Sequence, residues 1–171
     1  YINGYGEFYK LRFKVTPDVL IPRSETELLV ELVLQFLQEN PGQYTVLDLG
    51  TGAGSIAIAI AKNNPDCKLI ASEVSKEALE IAKLNAKYHK VEDRIEFVVS
   101  DLLAHINTQP DIIVTNLPYI PTERINILDS SVKDFEPHIA LDGGPDGFDL
   151  YRKLFSEITE KGWQPKLIVG E

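Results

Sequence analysis

A chain of 171 residues, 44% of them hydrophobic, can bury one core and is short enough to be one domain. Its net charge of −9 and sequence pI near 4.9 argue against broad, charge-driven binding to nucleic acid, and its single cysteine, Cys67, excludes an internal disulfide and reads as a buried structural thiol. No run of 18 apolar residues and no signal-peptide pattern is present, and His89, His105 and His138 lack ligand spacing, so a cytoplasmic, soluble monomer without membrane contact or metal is expected.

In chain order, residues 1–15 alternate aromatic and polar side chains around Gly4 and Gly6, as a short hairpin does; the opening segment spans 1–22. Ser24-Glu25-Thr26-Glu27 has the form of a capping box. The helix predicted over 25–39 carries Leu28, Leu29, Leu32, Val33, Phe36 and Leu37 on one face and is stopped by Asn40-Pro41-Gly42. Strands are predicted over 45–49, 67–72, 94–99, 111–115 and 166–170, and further helices over 54–63, 75–89 and 149–161. For the run from Ser55 to Ala61 a period-two reading is also open. Lys76, Lys83, Lys87 and Lys90 lie near one helix face and read as a solvated surface. Residues 121–147 form a long, irregular stretch of the kind that usually serves as a lid or substrate wall. Alternating strands and helices predict an α/β, Rossmann-like domain over 23–171, with a mostly parallel sheet and helices on both faces.

Two segments carry chemistry. After the strand Val46-Leu47-Asp48-Leu49, the turn Gly50-Thr51-Gly52-Ala53-Gly54 opens a helix, and its glycines permit a tight turn and close approach of a ligand. An acid, Glu73, stands 23 positions beyond Gly50 at another strand's carboxyl end, suited to accepting from ribose hydroxyls. The turn is neither a dinucleotide nor a phosphate-cradling form. Asp48 and the tighter glycine spacing suit a nucleoside without pyrophosphate, a description that S-adenosylmethionine fits. The second segment, Asn116-Leu117-Pro118-Tyr119, ends the apolar run at 111–115, because Pro118 cannot continue a ladder. The Asn116 amide oxygen and a neighbouring backbone carbonyl offer two acceptors for an NH₂ group, and Tyr119 offers a flat face. Taken alone, this segment is equally a turn that ends a strand.

These motifs resemble the catalytic domain of the release-factor glutamine methyltransferases. The resemblance rests on residues 8–15, on Val19-Leu20-Ile21-Pro22-Arg23-Ser24-Glu25-Thr26-Glu27, on 47–54, on 116–119, and on Glu136-Pro137 followed by Ala140-Leu141-Asp142-Gly143-Gly144 and Asp146-Gly147. It implies S-adenosylmethionine as cofactor, held by Gly50, Thr51, Gly52, Ala53, Gly54, Glu73, Asp101, Leu102 and Asn116. It implies Asn116, Pro118 and Tyr119 as catalytic residues, with Leu117 beside them in contact with substrate. The substrate implied is the glutamine of a Gly-Gly-Gln loop in a peptide-chain release factor. Acceptors on the amide NH₂ aim its lone pair and stabilise charge building on nitrogen, an effect worth about 3 kcal/mol per group.

Three departures stand out. Ser24 replaces a family proline, Glu73 an aspartate, and Leu117 the first proline of Asn-Pro-Pro-Tyr; the last leaves turn rigidity and substrate choice open. Asn-Leu-Pro-Tyr also occurs in adenosine dimethyltransferases acting on ribosomal RNA, so an exocyclic adenine-amine methyltransferase on RNA or DNA is the alternative. A non-catalytic nucleoside-binding domain is the alternative of another class. Arg23 is open to two roles, ion-pair partner or active-site wall. The missing methionines and the apolar strand at 166–170 give the expectation of a fragment, without the family's amino-terminal helical domain and the last strands of the sheet.

Overall fold

The computed structural model describes residues 4–129 and 135–171. A hairpin comes first, β1 (Tyr5–Phe8) pairing antiparallel with β2 (Leu11–Lys14). Its turn falls at Tyr9 and Lys10, with φ of 51° and 60°, and not at the glycines. Left-handed backbone is costly for residues with a Cβ; the Glu27 carboxylate offsets part of this by accepting the Tyr9 N–H at 2.8 Å. Phe8 and Phe13 are fully buried and anchor the hairpin in the main core. Residues 1–3 of the expected hairpin lie outside the described residues.

The expected capping box does not form. Helix α1 (Glu27–Glu39) has Thr26 at its N-cap with no side-chain cap bond, Ser24 Oγ bonds Glu25, and Glu27 is taken by Tyr9. The reason lies in the backbone: Glu27, Leu28 and Leu29 N–H already donate to the carbonyls of Ser24, Glu25 and Thr26 in tight turns, leaving a cap little to satisfy. The buried stripe of α1 is also rotated from the expected one. Leu29, Val30, Val33 and Leu37 face inward while Leu28 and Leu32 are exposed. The helix lies over the last two strands and α2 (Ser55–Asn63) at once, which brings Val30 into the contact.

Five parallel strands form the sheet: β3 (Thr45–Leu49), β4 (Lys68–Glu73), β5 (Ile95–Val99), β6 (Ile112–Thr115) and β7 (Leu167–Gly170). Their spatial order is β5-β4-β3-β6-β7. Helices α1, α2 and α3 (Lys76–Tyr88) cover one face; α5 (Asp149–Glu160) and residues 102–106 cover the other, where Leu154 and Ile158 meet Leu47, Leu49 and Ile113. Every residue from Ser55 to Ala61 is buried, so the ambiguous run is a helix sandwiched between the sheet, α1 and α3. The lysines of α3 are exposed. The segment 121–147 is more ordered than its composition suggests: it holds the short helix α4 (Thr122–Ile125), a 3-10 turn over His138–Ala140 and a bridge between Ile120 and Asp142. Its residues 130–134 lie outside the described residues.

Strand order reverses at β3, with β4 on one side and β6 on the other. In such sheets the crevice at the carboxyl ends of the two diverging strands is where ligands bind. The glycine turn follows β3 and Asn116 follows β6, so this topology brings two segments far apart in sequence to one place.

Candidate active site

The glycine turn is held from below and from the side. Gly50 and Thr51 N–H both donate to the Ser72 carbonyl at 2.9 Å, and φ is 72°, 53° and 82° at Gly50, Gly52 and Gly54. Beneath it, the fully buried Asp48 accepts from Thr51 Oγ1 at 2.6 Å and from the Ala57 N–H at 3.0 Å. Burial pushes the Asp48 carboxyl up to about 6, opposed by these two hydrogen bonds. Asn85, buried in α3, donates to the Ala53 carbonyl and exchanges two bonds with the backbone of Lys14, tying turn to hairpin. The glycines have different duties. A Cβ on Gly54 would touch Ala82 and Ile58 at 3.1 Å, so this glycine lets α3 approach; a Cβ on Gly52 would meet nothing within 4 Å, because its open side faces the cavity.

Glu73 ends β4 directly opposite. Its Oε2 accepts the Gly52 N–H at 3.0 Å, and its Oε1 accepts from Val74 and Ser75 at 2.8 and 3.1 Å. Three backbone donors thus aim a carboxylate at the turn, with acceptor capacity remaining on Oε2.

Across the crevice, Asn116 Nδ2 donates to Thr26 Oγ1 at 3.1 Å, and Thr26 Oγ1 donates to Glu171 Oε2 at 2.6 Å. Leu117 points down into the lower core, buried beside Gly50. The rest of the turn is clasped by the segment 141–147: Ile120 N–H donates to Leu141 O, Gly143 N–H to Ile120 O and Thr122 N–H to Gly144 O, at 2.9 to 3.1 Å. A Cβ on Gly143 would lie 2.7 Å from Tyr119 Cα and 2.8 Å from the Pro118 carbonyl oxygen. Only glycine fits there. Among the described residues no backbone hydrogen bond uses the Leu117 or Pro118 carbonyl. Arg23 takes both roles left open for it. It pairs with Glu136 at 2.6 Å, joining segments 113 residues apart, and it lines the cavity. Burial pushes the Glu136 carboxyl up and Arg23 opposes it.

These segments enclose a cavity of about 350 Å³. Gly50, Thr51, Gly52, Ala53, Glu73, Asp101, Leu102, Asn116, Leu117 and Pro118 all line it. Gly54 and Tyr119 do not: Gly54 is turned toward α3, and Tyr119 stands half exposed beyond Pro118. The Asp101 side chain is paired with Lys153 at 2.6 Å, and Leu102 takes a φ of 45° with its side chain in the lower core. Reading by motif missed Leu20, Pro22, Thr26, Ser100, Ile139 and Leu150, which also line the cavity. Leu20, Pro22 and Thr26 had a visible signal, inside the segment 19–27, but no site role was read from it. The others are apolar or small residues brought in by the topology.

The methyltransferase small domain family matches residues 24–136. The chain belongs to that family. Among curated proteins it is similar to a release factor glutamine methyltransferase from Koribacter versatilis, 45% identical over 169 residues, covering 95% of this chain and 59% of the relative. Another, from Moorella thermoacetica, is 44% identical over 155 residues, covering 90% and 54%. The chain therefore spans a little over half the length of these relatives. Among solved structures it is similar to the hMettl16 catalytic domain in complex with MAT2A 3′UTR hairpin 6, with TM-score 0.72, 16% identity and coverage of 93% and 59%. A SAM-dependent methyltransferase from Agrobacterium tumefaciens gives TM-score 0.64 at 17% identity, covering 94% and 48%. Both likenesses concern the fold. Among the described residues no helix is long and apolar enough to cross a membrane.

Proposed function

We propose that this chain is the catalytic part of a release-factor glutamine methyltransferase, transferring a methyl group from S-adenosylmethionine to the side-chain amide nitrogen of glutamine. The observation that carries the reading is the meeting of the glycine turn, Glu73 and the Asn116-Leu117-Pro118 acceptors in one cavity. The likeness to release factor glutamine methyltransferases over nine-tenths or more of the chain supports the choice of substrate. The residues present fit the cofactor: the open side of Gly52 is a cradle that any Cβ would fill, and Glu73 keeps an acceptor for a ribose hydroxyl.

Bound there, S-adenosylmethionine supplies an activated sulfonium methyl, so no metal or covalent enzyme intermediate is needed. A glutamine amide nitrogen is a poor nucleophile because its lone pair is delocalised. Asn116 Oδ1 and the carbonyl of Leu117 or Pro118 accept its two N–H groups, turn the lone pair toward the methyl and stabilise charge growing on nitrogen. Their fixed placement replaces an orientational search. Tyr119, beyond Pro118, packs on the substrate outside the cavity. A Gly-Gly-Gln loop is narrow and extended enough to enter, and a protein substrate asks for no basic surface, in keeping with the net charge of −9.

The test offers methyl-labelled S-adenosylmethionine to the intact protein with a release factor and with structured RNA, side by side. Mass spectrometry placing the methyl on glutamine is the expected result; a methyl on adenine would overturn the assignment.

A further inference from the structure

Asn116 does its work only if its oxygen, and not its NH₂, faces the substrate. A planar amide has nearly the same shape either way round, and the wrong orientation would set NH₂ against NH₂. We infer that Thr26 and Glu171 fix this choice, with Thr26 a positioning residue that acts through Asn116. The inference rests on the glutamine reading for its consequence in catalysis, though its geometry stands without it.

Hydrogen-bond direction decides which way the amide faces. An ionised carboxylate can only accept, so Glu171 Oε2, at 2.6 Å, takes the single Thr26 hydroxyl proton. Thr26 Oγ1 is then left with lone pairs alone toward its other neighbour. Asn116 must answer with a donor, its Nδ2–H, at 3.1 Å. Planarity sends Oδ1 away from Thr26, and among the described residues no hydrogen bond uses it; Asn116 lines the cavity. The two bonds also polarise one another, since a carboxylate drawing on the hydroxyl makes the amide oxygen more negative and a better acceptor.

Two features support this use of Thr26. It is the N-cap residue of α1, where threonine normally gives its oxygen to the helix, yet its side chain makes no cap bond. It is also buried, at 4% exposure, so water does not compete for the hydroxyl. Glu171 is placed by the sheet. Thr115 and Gly170 are register partners on β6 and β7, Glu171 N–H donates to the Thr115 carbonyl, and Tyr151 hydroxyl bonds the Glu171 carbonyl. Asn116 and Glu171 are thus the next residues on two paired strands, with the start of α1 laid across them.

The test compares Thr26→Val, which keeps shape and loses the hydroxyl, with Thr26→Ser, which keeps the hydroxyl, in the intact protein. Thr26→Val should lower kcat by about 10- to 100-fold, with cofactor affinity held, and Thr26→Ser should restore it to within about three-fold. Adding Thr26→Val to Asn116→Ala should cost nothing further, because the effect travels through Asn116. A merely structural threonine would give additive losses. The Asn116 side-chain amide resonances in nitrogen-15 NMR provide a readout independent of substrate. They should shift and exchange faster with solvent in Thr26→Val and stay near wild type in Thr26→Ser. Unchanged resonances, or additive losses, overturn the inference. If the wild-type protein leaves glutamine unmodified, the functional reading falls while the NMR comparison still decides the role of Thr26.

Discussion

Gly143 is the residue at which a single added carbon should disable the chemistry while leaving the cofactor site intact. An alanine Cβ there would sit 2.7 Å from Tyr119 Cα, 2.7 Å from the Gly147 carbonyl oxygen and 2.8 Å from the Pro118 carbonyl oxygen. Comfortable contact begins near about 3.5 Å, so each overlap is roughly 0.7 Å or more. All three neighbours are backbone atoms, and no rotamer change relieves them. Either the segment 141–147 or the turn 116–119 must move, stretching the bonds from Gly143 N–H to Ile120 O at 2.9 Å and from Asp149 N–H to Gly143 O at 3.1 Å. Overpacking of this kind costs about 1–3 kcal/mol. The larger consequence is geometric, because a displacement approaching 1 Å in groups that aim a reactant costs on the order of 100-fold in rate. Gly143→Ala should therefore melt a few degrees lower and lose about 100-fold in kcat. Its affinity for the demethylated cofactor should stay within several-fold of wild type, since the glycine turn on β3 makes no contact with the added carbon. Thermal melts, calorimetry and initial rates on the same preparation measure all three. A Gly143→Ala protein with wild-type melting and turnover would refute the claim that this segment shapes the turn.

Four more outcomes are expected. Asn116→Ala should leave cofactor affinity within several-fold but cut methyl transfer by at least about 100-fold, and near-normal turnover would remove it as the amide anchor. Gly52→Val should abolish cofactor binding in calorimetry, by filling the open side of the cradle at a residue whose φ is already 53°; undiminished affinity would put the cofactor elsewhere. Leu117→Ala should cost about 2–4 kcal/mol in denaturant unfolding, as a buried core side chain and not a base-reading one, and should not create adenine methylation. Asp48, raised from 3.8 to about 6, holds its proton more tightly folded than unfolded, so its contribution is fully present below about pH 4 and is lost as pH rises through 6. That is on the order of 3 kcal/mol. Asp48→Asn should flatten the decline in stability between pH 4 and 7, and an unchanged slope would show that Asp48 titrates normally.

The parts of the fold legible in the sequence were those governed by local pattern. Strand runs bounded by polar residues, the glycine turn and the proline stop at Pro118 put every strand of the five-stranded sheet and every long helix within two residues of its place. What was not legible depended on partners distant in sequence. The Tyr9-Lys10 turn, with two residues at positive φ, has no local signature, because its support comes from Glu27 on another element. The capping box fails for two reasons together: Glu27 is drawn to Tyr9, and the first helical N–H groups are already satisfied by the carbonyls of Ser24, Glu25 and Thr26. Asn85 carries no local signal within its helix, yet it satisfies the backbone of Lys14 and Ala53 at once.

The candidate site divides along the same line. Its chemically distinctive members, Asn116, Glu73 and the glycines, could be named from spacing. Their support could not, since Thr26, Glu171 and Gly143 reach Asn116, or the turn it opens, from separate stretches of the chain. Leu117 shows why the distinction matters. As a departure from Asn-Pro-Pro-Tyr it invited a reading in terms of substrate, but its side chain lies in the core against Gly50. The first proline of that turn contributes stiffness, and stiffness here has another source: the clasp of residues 141–147, whose hydrogen bonds hold Ile120 and whose glycines admit the turn's backbone. A turn held from outside tolerates a leucine within it. On the proposed reading, the acceptors at Asn116 and Pro118 then keep their placement, and the identity of residue 117 bears on how firmly they are held.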